Sequence, residues 1–289
     1  MNTLDDFCSN HQLAVTLPIQ PSILSLFISY LAGQGYAPAT ISSHMSAISY
    51  VHKLNSWPDP AASFLNQKLL GAWHRLNKRL DCRRPIDKPM LNQLISALDF
   101  TVNNAQTRVL YKAMFTLAFH ALLRIGEMTV QSQAVYNPNL LQLSQVELGQ
   151  VSLTVTFVSY KHSTGTPFSL SIQSTPGQIT CPLRLMRAYT DIRGTSVGPL
   201  FLDSYNRPVT RSLFNEQLRH ALQFRNYPLG QFTSHSFRIG AATTAAAKGT
   251  PDSQIQQMGR WRSDAFKKYI RCSQRVSSLW HRISIHALL

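Results

Sequence analysis

The chain has 289 residues, and its 28 lysines and arginines against 13 aspartates and glutamates give a net charge of +15. Apolar residues make up 44% of it, which excludes a disordered chain, and no apolar run approaches the roughly 18 residues that cross a bilayer. Residues 1–82 hold 5 basic and 4 acidic residues, so the rest holds 28 − 5 = 23 and 13 − 4 = 9, a net +14. This excess of positive charge favours a polyanionic partner. A need for solubility explains it less well, because additional acidic residues would improve solubility more.

The N-terminus and the cysteines show no targeting or metal pattern. Asp5 and Asp6 stand where a secretory signal peptide would carry cations, so we expect an intracellular protein. Residues 1–20 are mixed in composition and predict a loose lead-in. The four cysteines are Cys8, Cys82, Cys181 and Cys272. No two of them have Cys-x-x-Cys spacing, so the sequence predicts neither a zinc site nor a disulfide framework.

Apolar residues in the first part of the chain recur every three and four positions, which predicts helices. The predicted helices begin at Pro21, near Pro38 and at Phe64, and the last one runs to Leu80. A stripe on the third helix is interpreted as core: Leu65, Leu69, Trp73, Leu76 and Leu80. We therefore predict a small all-helical domain over residues 1–82.

Residues 83–89, Arg-Arg-Pro-Ile-Asp-Lys-Pro, combine two prolines with three cations and predict an extended basic linker. Such a linker could track a phosphate backbone or be a solvated connection, and the sequence does not separate the two. The second domain, residues 90–289, is predicted to be mainly helical. Its predicted helices are Met90–Phe100, Ala105–Leu123, Pro182–Arg193, Ser212–Phe224, one from Ser234 through Ala247, Pro251–Met258 and a short one carrying Tyr269.

Between Gln145 and Gln173 the apolar period changes to two, which indicates half-buried strands. Lys161 lies at or near the tip of the resulting hairpin, where an ammonium can reach a ligand, although a lysine taken alone at such a place is more often an exposed solubilising one. The fold class predicted for the whole chain is mainly α with a small β-sheet, the second domain being α+β.

Three basic residues stand out at the ends of predicted helices. Arg124 lies between leucine and isoleucine at the end of a buried helix, where a guanidinium needs partners; a structural salt bridge to Glu127 is the plain alternative. His235 and Arg238, three residues apart, share a face near a positive helix N-terminus, where an anion is well placed.

The order of these residues resembles that of the tyrosine recombinases, the phage integrase family. The resemblance spans about Ser22 to Trp280 and rests on the ordered set Arg124, Lys161, His235-x-x-Arg238, and Tyr269 after Met-Gly-Arg-Trp. One segment looks most like the recombinases of eukaryotic DIRS and Ngaro-type retrotransposons. Its sequence is Gly-Arg-Trp-Arg-Ser-Asp-Ala-Phe-Lys-Lys-Tyr-Ile-Arg. The resemblance implies an N-terminal, all-α core-binding domain of the SAM-like kind ahead of the catalytic domain.

One position departs from the family pattern. In most relatives a histidine or tryptophan follows the glycine directly and lies nine residues before the tyrosine, whereas here that place is Arg260 and Trp261 comes next. Either Trp261 fills the role through a local shift, by packing and hydrogen bonding, or Arg260 contacts the phosphate. We take Trp261 as the sixth candidate, and Arg260 stays open.

The resemblance implies a role for each candidate. Tyr269 attacks a DNA phosphodiester and forms a 3′-phosphotyrosine bond, His235 takes or holds its proton, and Lys161 protonates the departing 5′ oxygen. Arg124 and Arg238 bind the nonbridging oxygens. The bond energy is kept, so neither ATP, a metal nor another cofactor is implied.

The resemblance also implies double-stranded DNA as partner, held in a C-shaped clamp with phosphate contacts that salt weakens. No membrane or small-molecule substrate is expected. The apolar C-terminal segment from Val276 to Leu288 predicts a helix that docks on a neighbouring protomer, in a tetramer on DNA, or on its own domain. The expected location is the nucleus in a eukaryote, and otherwise the cytoplasm or nucleoid.

Three other functions compete with recombination of a mobile element. A domesticated, inactive DNA-binding protein would share the charge and the fold, but it would have little reason to keep every catalytic residue type. A type IB topoisomerase or telomere resolvase shares the tyrosine chemistry, and the compact size argues against both. A non-catalytic helical interaction module leaves the net +14 of the second part unexplained.

Overall fold

The computed structural model describes residues 2–14, 16–77, 81–134, 137–161, 163 and 165–271. The chain forms two compact units, Met1–Asp81 and Cys82–Leu289. Within the described residues, no helix is both long and apolar enough to cross a membrane. The predicted mainly helical fold with a small sheet is confirmed.

The first unit is all-helical where it is described. Its helices are α1 (Asn2–Asn10), α2 (Pro21–Gly33), α3 (Pro38–Leu54) and α4 (Phe64–Leu76). The prediction of a loose lead-in over residues 1–20 is wrong, because α1 buries Leu4, Phe7 and Cys8 in the core of this unit. The Phe7 and Phe27 rings lie 5.3 Å apart. Three apolar residues in nine are enough for one buried face, but they give too short a pattern to read from sequence.

The stripe predicted as core on α4 is only partly buried. Leu69 and Trp73 pack against the core, whereas Leu65 and Leu76 are 56% and 79% exposed, so that part of the prediction is wrong. Leu80 lies outside the described residues. The helix instead buries Asn66, whose amide donates to the carbonyls of Pro21 (3.0 Å) and Pro60 (2.9 Å). Two satisfied hydrogen bonds allow a polar side chain to take the place of a leucine.

The second unit packs its helices around a buried central helix, α6. Its elements are α5 (Lys88–Thr101), α6 (Ala105–His120), α7 (Ile125–Met128), β1 (Val146–Leu148), β2 (Ser152–Phe157), β3 (Phe168–Gln173), α8 (Pro182–Arg193), α9 (Arg211–Phe224), α10 (His235–Ala247) and α11 (Asp252–Met258). A 3₁₀ turn, Asp264–Tyr269, follows α11. α6 is enclosed because Ala113, Met114, Phe115 and Leu117 are all fully buried.

The sheet is antiparallel in the order β1-β2-β3. β2 pairs with β3 from Ser152 opposite Gln173 to Phe157 opposite Phe168. Its buried side chains alternate with half-buried serine and threonine, as the period of two predicts. β2 therefore ends with Phe157 buried in the core, and the chain that follows it reaches the surface at Lys161.

Residues 83–87 have no regular secondary structure, residues 88 and 89 begin α5, and the whole segment belongs to the second unit. The Ile86 amide donates to the Ser236 carbonyl (3.0 Å), and the Ile86 side chain is fully buried. A Cβ added at Gly240 would lie 1.7 Å from the Ile86 oxygen, so only glycine lets α10 approach this segment. Asp87 caps α5 by accepting from the Met90 amide (2.9 Å).

Candidate active site

Arg238 lies in the first turn of α10 and is fully buried. Its Nη1 donates to the Leu122 carbonyl and its Nη2 to the Gly259 carbonyl. Burial, followed by the charges of Arg124 and Arg260, lowers the pKa of Arg238 to about 9. The side chain is therefore still a cation at neutral pH, held by two neutral oxygens.

The first of these oxygens belongs to the turn that ends α6. The Leu123 amide donates to the Ala118 carbonyl (3.1 Å) and the Leu122 amide to the Phe119 carbonyl (3.2 Å), the two bonds of a Schellman turn. Leu122 takes the left-handed position of the turn, with φ 46°. The chain leaves the helix at this point, so the prediction of a helix through Leu123 is wrong by three residues.

The second oxygen belongs to an equivalent turn at the end of α11. The Trp261 amide donates to the Gln256 carbonyl (3.0 Å) and the Arg260 amide to the Gln257 carbonyl (2.9 Å). Arg260 takes the left-handed position, with φ 54°, where glycine is the usual residue. An arginine there costs on the order of 1 kcal/mol or more of backbone strain. The carbonyl ends of α6 and α11 both face Arg238, and their partial negative charge stabilises it.

Three rings gather around the same guanidinium. The Arg238 guanidinium carbon lies 4.0 Å from the Trp261 ring centroid and 5.6 Å from that of Tyr269. The Tyr269 ring is 4.9 Å from the His235 ring and 4.9 Å from the Trp261 ring. A Cβ at Gly259 would lie 1.6 Å from the Trp261 ring, so Trp261 reaches this place only across a glycine.

Tyr269 is the last residue of the predicted short helix, which begins at Asp264 and is a 3₁₀ helix. The Thr243 hydroxyl of α10 donates to the Tyr269 carbonyl (3.1 Å) and accepts from the Arg271 amide (3.0 Å). Phe266 is buried beneath the turn. These contacts fix the tyrosine backbone against the helix that carries His235 and Arg238.

Arg124, Glu127 and Arg260 form an ion-pair network beside Arg238. Glu127 is buried; its Oε1 lies 3.2 Å from Arg124 Nη1, and its Oε2 lies 2.7 Å from Arg260 Nη2. Oε2 also accepts from the Arg124 amide (2.8 Å), so Arg124 is the N-cap of α7. The salt bridge that the sequence suggested for Arg124 is present, and Glu127 shares it with a second arginine.

Lys161 lies apart from this cluster, exposed in the turn that follows β2. It shares with Arg124 a cavity of about 430 Å³, which Asn137, Asn139 and Arg211 also line. Arg211 was missed in the sequence. The only signal for it was a basic residue in the first turn of α9, directly after the capping residue Thr210.

The structure brings five of the six predicted residues into one chain of contacts: Arg124, His235, Arg238, Trp261 and Tyr269. The link from Arg124 runs through its bond to the Arg260 carbonyl (3.5 Å). Lys161 reaches the same region only through the shared cavity. Over the described ranges, no cluster of three histidine, cysteine or acidic residues could hold a metal ion.

The site lies within a part of the chain that matches a known protein family. The model of the phage integrase family matches residues 86–274, more than half of the chain. No curated protein matches the sequence. Two solved integrase structures resemble the chain. A variant of the Tn1549 transposon integrase in complex with transposon right end DNA has a TM-score of 0.62 at 13% identity, over 99% of this chain and 91% of that one. A lambda integrase dimer bound to a COC′ core site has a TM-score of 0.55 at 13% identity, over 88% and 65%.

A third similar structure is the XerH site-specific recombinase bound to palindromic difH substrate in a post-cleavage complex. Its TM-score is 0.59 at 12% identity, over 91% of this chain and 70% of that chain. At such identities the three likenesses show a shared fold.

Proposed function

The chain belongs to the phage integrase family, and from that premise and the site geometry we propose that it is a site-specific DNA recombinase. It cleaves and rejoins strands through a phosphotyrosine at Tyr269. The observation that carries the proposal is the position of the Tyr269 ring over the buried Arg238 guanidinium, 5.6 Å away, beside His235.

The charge of the cluster fits a phosphodiester. Three guanidiniums, of Arg124, Arg238 and Arg260, stand against one carboxylate, Glu127, which leaves 3 − 1 = 2 positive charges in a largely buried place. Burying uncompensated charge is unfavourable, and a bound anion supplies the missing partner. A phosphate accepts paired N–H donors from guanidiniums, which gives it the geometry as well as the charge.

The cleavage step follows from the roles of the side chains. The Tyr269 Oη attacks the scissile phosphorus, its proton passes to His235, and a P–Oη bond forms as the P–O5′ bond breaks. Lys161 gives a proton to the departing 5′ oxygen. Arg124 and Arg238 stabilise the charge that develops on the nonbridging oxygens, so their loss lowers the rate more than it lowers DNA affinity.

Rejoining is the same step in reverse. A 5′ hydroxyl of another strand attacks the phosphotyrosine, the new P–O5′ bond forms, and the phenol leaves with its proton restored. One phosphate ester is exchanged for another, so the balance requires neither ATP nor a redox partner. In this scheme Trp261 is the sixth member of the site, packing on Tyr269 and Arg238.

The finer assignment is to the integration or excision of a mobile element of the DIRS or Ngaro type. This assignment is supported by the amino-acid sequence from Gly259 to Arg271. The substrate is then double-stranded DNA flanked by inverted or split direct repeats. The active species is a tetramer on DNA, located in the nucleus if the source is eukaryotic. The C-terminal helix predicted for protomer docking lies outside the described residues.

The test is a suicide substrate that carries the repeat flanking the gene. The wild-type protein should form an adduct that survives denaturant, and Tyr269→Phe should form none. Tyr205→Phe is the matched control, because Tyr205 is 76% exposed in the same unit. Adduct in both Phe variants would remove Tyr269 from the nucleophilic role.

Two other results would point to the competing functions. Sequence-specific DNA binding without any adduct would indicate an inactive binder. Relaxation of supercoiled DNA without strand exchange would indicate a type IB topoisomerase-like enzyme.

Lys161 has its own test. A substrate with sulfur at the bridging 5′ position should restore cleavage to Lys161→Ala, because a thiolate leaves without an acid. The same substrate should not restore Arg238→Ala, which lacks charge stabilisation rather than a proton. Failure to rescue Lys161→Ala would exclude it as the general acid.

A further inference from the structure

Arg260 takes a strained backbone position and directs its side chain inwards. Its φ of 54° is one that an arginine adopts at a cost, in a turn that glycine would complete without strain. Strain of this kind persists where surrounding contacts hold the residue in place, and it often accompanies function. The contacts of Arg260 therefore indicate what the strain maintains.

Those contacts are with protein groups. The Arg260 guanidinium stacks on the Phe157 ring at 3.7 Å, donates to the Ala121 carbonyl (3.3 Å) and pairs with Glu127 (2.7 Å). Only 5% of Arg260 is exposed. The residue in contact with Tyr269 is Trp261, at 4.9 Å between ring centroids. The inward side chain of Arg260 is thus the ion-pair partner of Glu127.

Glu127 in turn contacts Arg124 with both carboxylate oxygens. One oxygen accepts from the Arg124 amide (2.8 Å), and the other lies 3.2 Å from Nη1. Its shorter ion pair, however, is with Arg260. Without Arg260 the full negative charge of Glu127 would face Arg124 alone, and a carboxylate held against a guanidinium competes with an incoming phosphate.

We propose that Arg260 is a positioning residue whose guanidinium compensates the negative charge of Glu127. Glu127 can then hold Arg124 in place without neutralising the positive charge of Arg124. The proposal rests on the proposed function only in taking the bound anion to be the scissile phosphate. Arg260 then raises anion affinity at Arg124 and Arg238 without contacting the anion.

The experiment measures inorganic sulfate binding to the full chain by calorimetry, with Arg124→Ala defining the part that belongs to this site. Arg260→Gly should weaken that binding by about 10-fold or more, although glycine suits the turn and preserves it. Arg262→Gly is the matched control, since Arg262 is exposed two residues away and carries the same charge. It should change sulfate affinity by less than about 2-fold.

The decisive variant adds Glu127→Gln to Arg260→Gly. Removal of the competing carboxylate should restore sulfate affinity to within about 3-fold of the wild-type value. A purely structural role for Arg260 predicts no recovery, because the second change also removes an anchor of Arg124. No recovery, or an Arg260→Gly affinity equal to that of Arg262→Gly, would overturn the proposal.

Sulfate binding requires no cleavage, so this result is independent of the phosphotyrosine test. A wild-type chain that forms no adduct but shows the sulfate pattern would refute the recombinase activity and keep the role of Arg260. An adduct at Tyr269 without the sulfate pattern would do the reverse.

Discussion

Two clusters of basic side chains lie at the C-terminal end of α6, and only one of them is accompanied by a carboxylate. The arginine cluster consists of Arg124, Arg238 and Arg260. Arg238 donates to the Leu122 carbonyl and Arg260 to the Ala121 carbonyl, while Glu127 pairs with Arg124 and Arg260. A carboxylate and the negative helix end together stabilise cations that burial would otherwise disfavour.

The second cluster is the pair of Lys88 and His120, whose Nζ and Nε2 atoms lie 3.0 Å apart. Among the described residues no carboxylate forms an ion pair with either. Burial, followed by the charge of Lys88, lowers the pKa of His120 to about 3. Burial and then Lys248 lower the pKa of Lys88. His120 is therefore neutral and accepts from the lysine, so this imidazole, which no carboxylate accompanies, carries no charge at neutral pH.

The largest effect should come from Glu127→Gln. The change leaves Arg124 and Arg260 without their carboxylate in a buried place, and we expect a loss of about 3–5 kcal/mol in the free energy of unfolding. Urea denaturation measures it. Glu216→Gln, on the exposed side of α9, should stay within about 0.5 kcal/mol.

Added sulfate should recover part of the stability of Glu127→Gln, because an anion can replace the lost carboxylate. A variant as stable as the wild type without any added anion would contradict the view that the carboxylate maintains the cluster.

A smaller loss should follow Gly259→Ala. The new methyl group would overlap the Trp261 ring, 1.6 Å away, and relief of such overlap costs about 1–3 kcal/mol. Near-ultraviolet circular dichroism should report the displaced indole alongside the urea midpoint. Gly230→Ala, which meets no atom within 4 Å, should leave the spectrum unchanged. Equal effects of the two alanines would show that Trp261 does not require the glycine.

Sequence periodicity predicts the helices and strands that carry the site, but it does not predict the directions in which the side chains of Arg260 and Trp261 point. α6 and β2 have long, regular apolar patterns, and His235 and Arg238 share a face by spacing alone. The choice between Arg260 and Trp261 depends on the left-handed backbone at Arg260. Glycine is the usual signal for such a turn, and here the glycine comes one residue earlier, at Gly259. The pattern therefore does not show that Arg260 turns inwards.

Rotation of a helix about its axis is the other feature that sequence left undetermined. The α4 stripe has helical spacing, yet Leu65 is exposed and Asn66 is buried, because Asn66 finds carbonyls of Pro21 and Pro60. Such partners come from residues far along the chain, and local periodicity carries no information about them. The same limit hid Arg211, whose place beside Arg124 depends on the packing of α9.

The next effect concerns pH and the second cluster. The folded pKa of His120, about 3, lies below its ordinary value of 6.5, so below pH 6.5 only the unfolded chain gains the proton. Stability should therefore fall by up to about 1.4 kcal/mol per pH unit, or about 2 kcal/mol by pH 5. His120→Gln should remove this part of the pH dependence in urea titrations. An identical slope in the variant would assign the acid sensitivity to other groups.

The smallest change in stability should come from Lys88→Met. The variant loses a donor to His120 but also a partly buried charge near Lys248, and methionine covers the Phe119 ring over which the ammonium lies at 5.9 Å. We expect a net change within about 1 kcal/mol. The informative measurement is the His120 pKa from the ring-proton chemical shift, which should rise because the Lys88 charge is gone. The loss of stability in acid then becomes shallower, whereas an unchanged His120 pKa would mean that burial alone keeps the imidazole neutral.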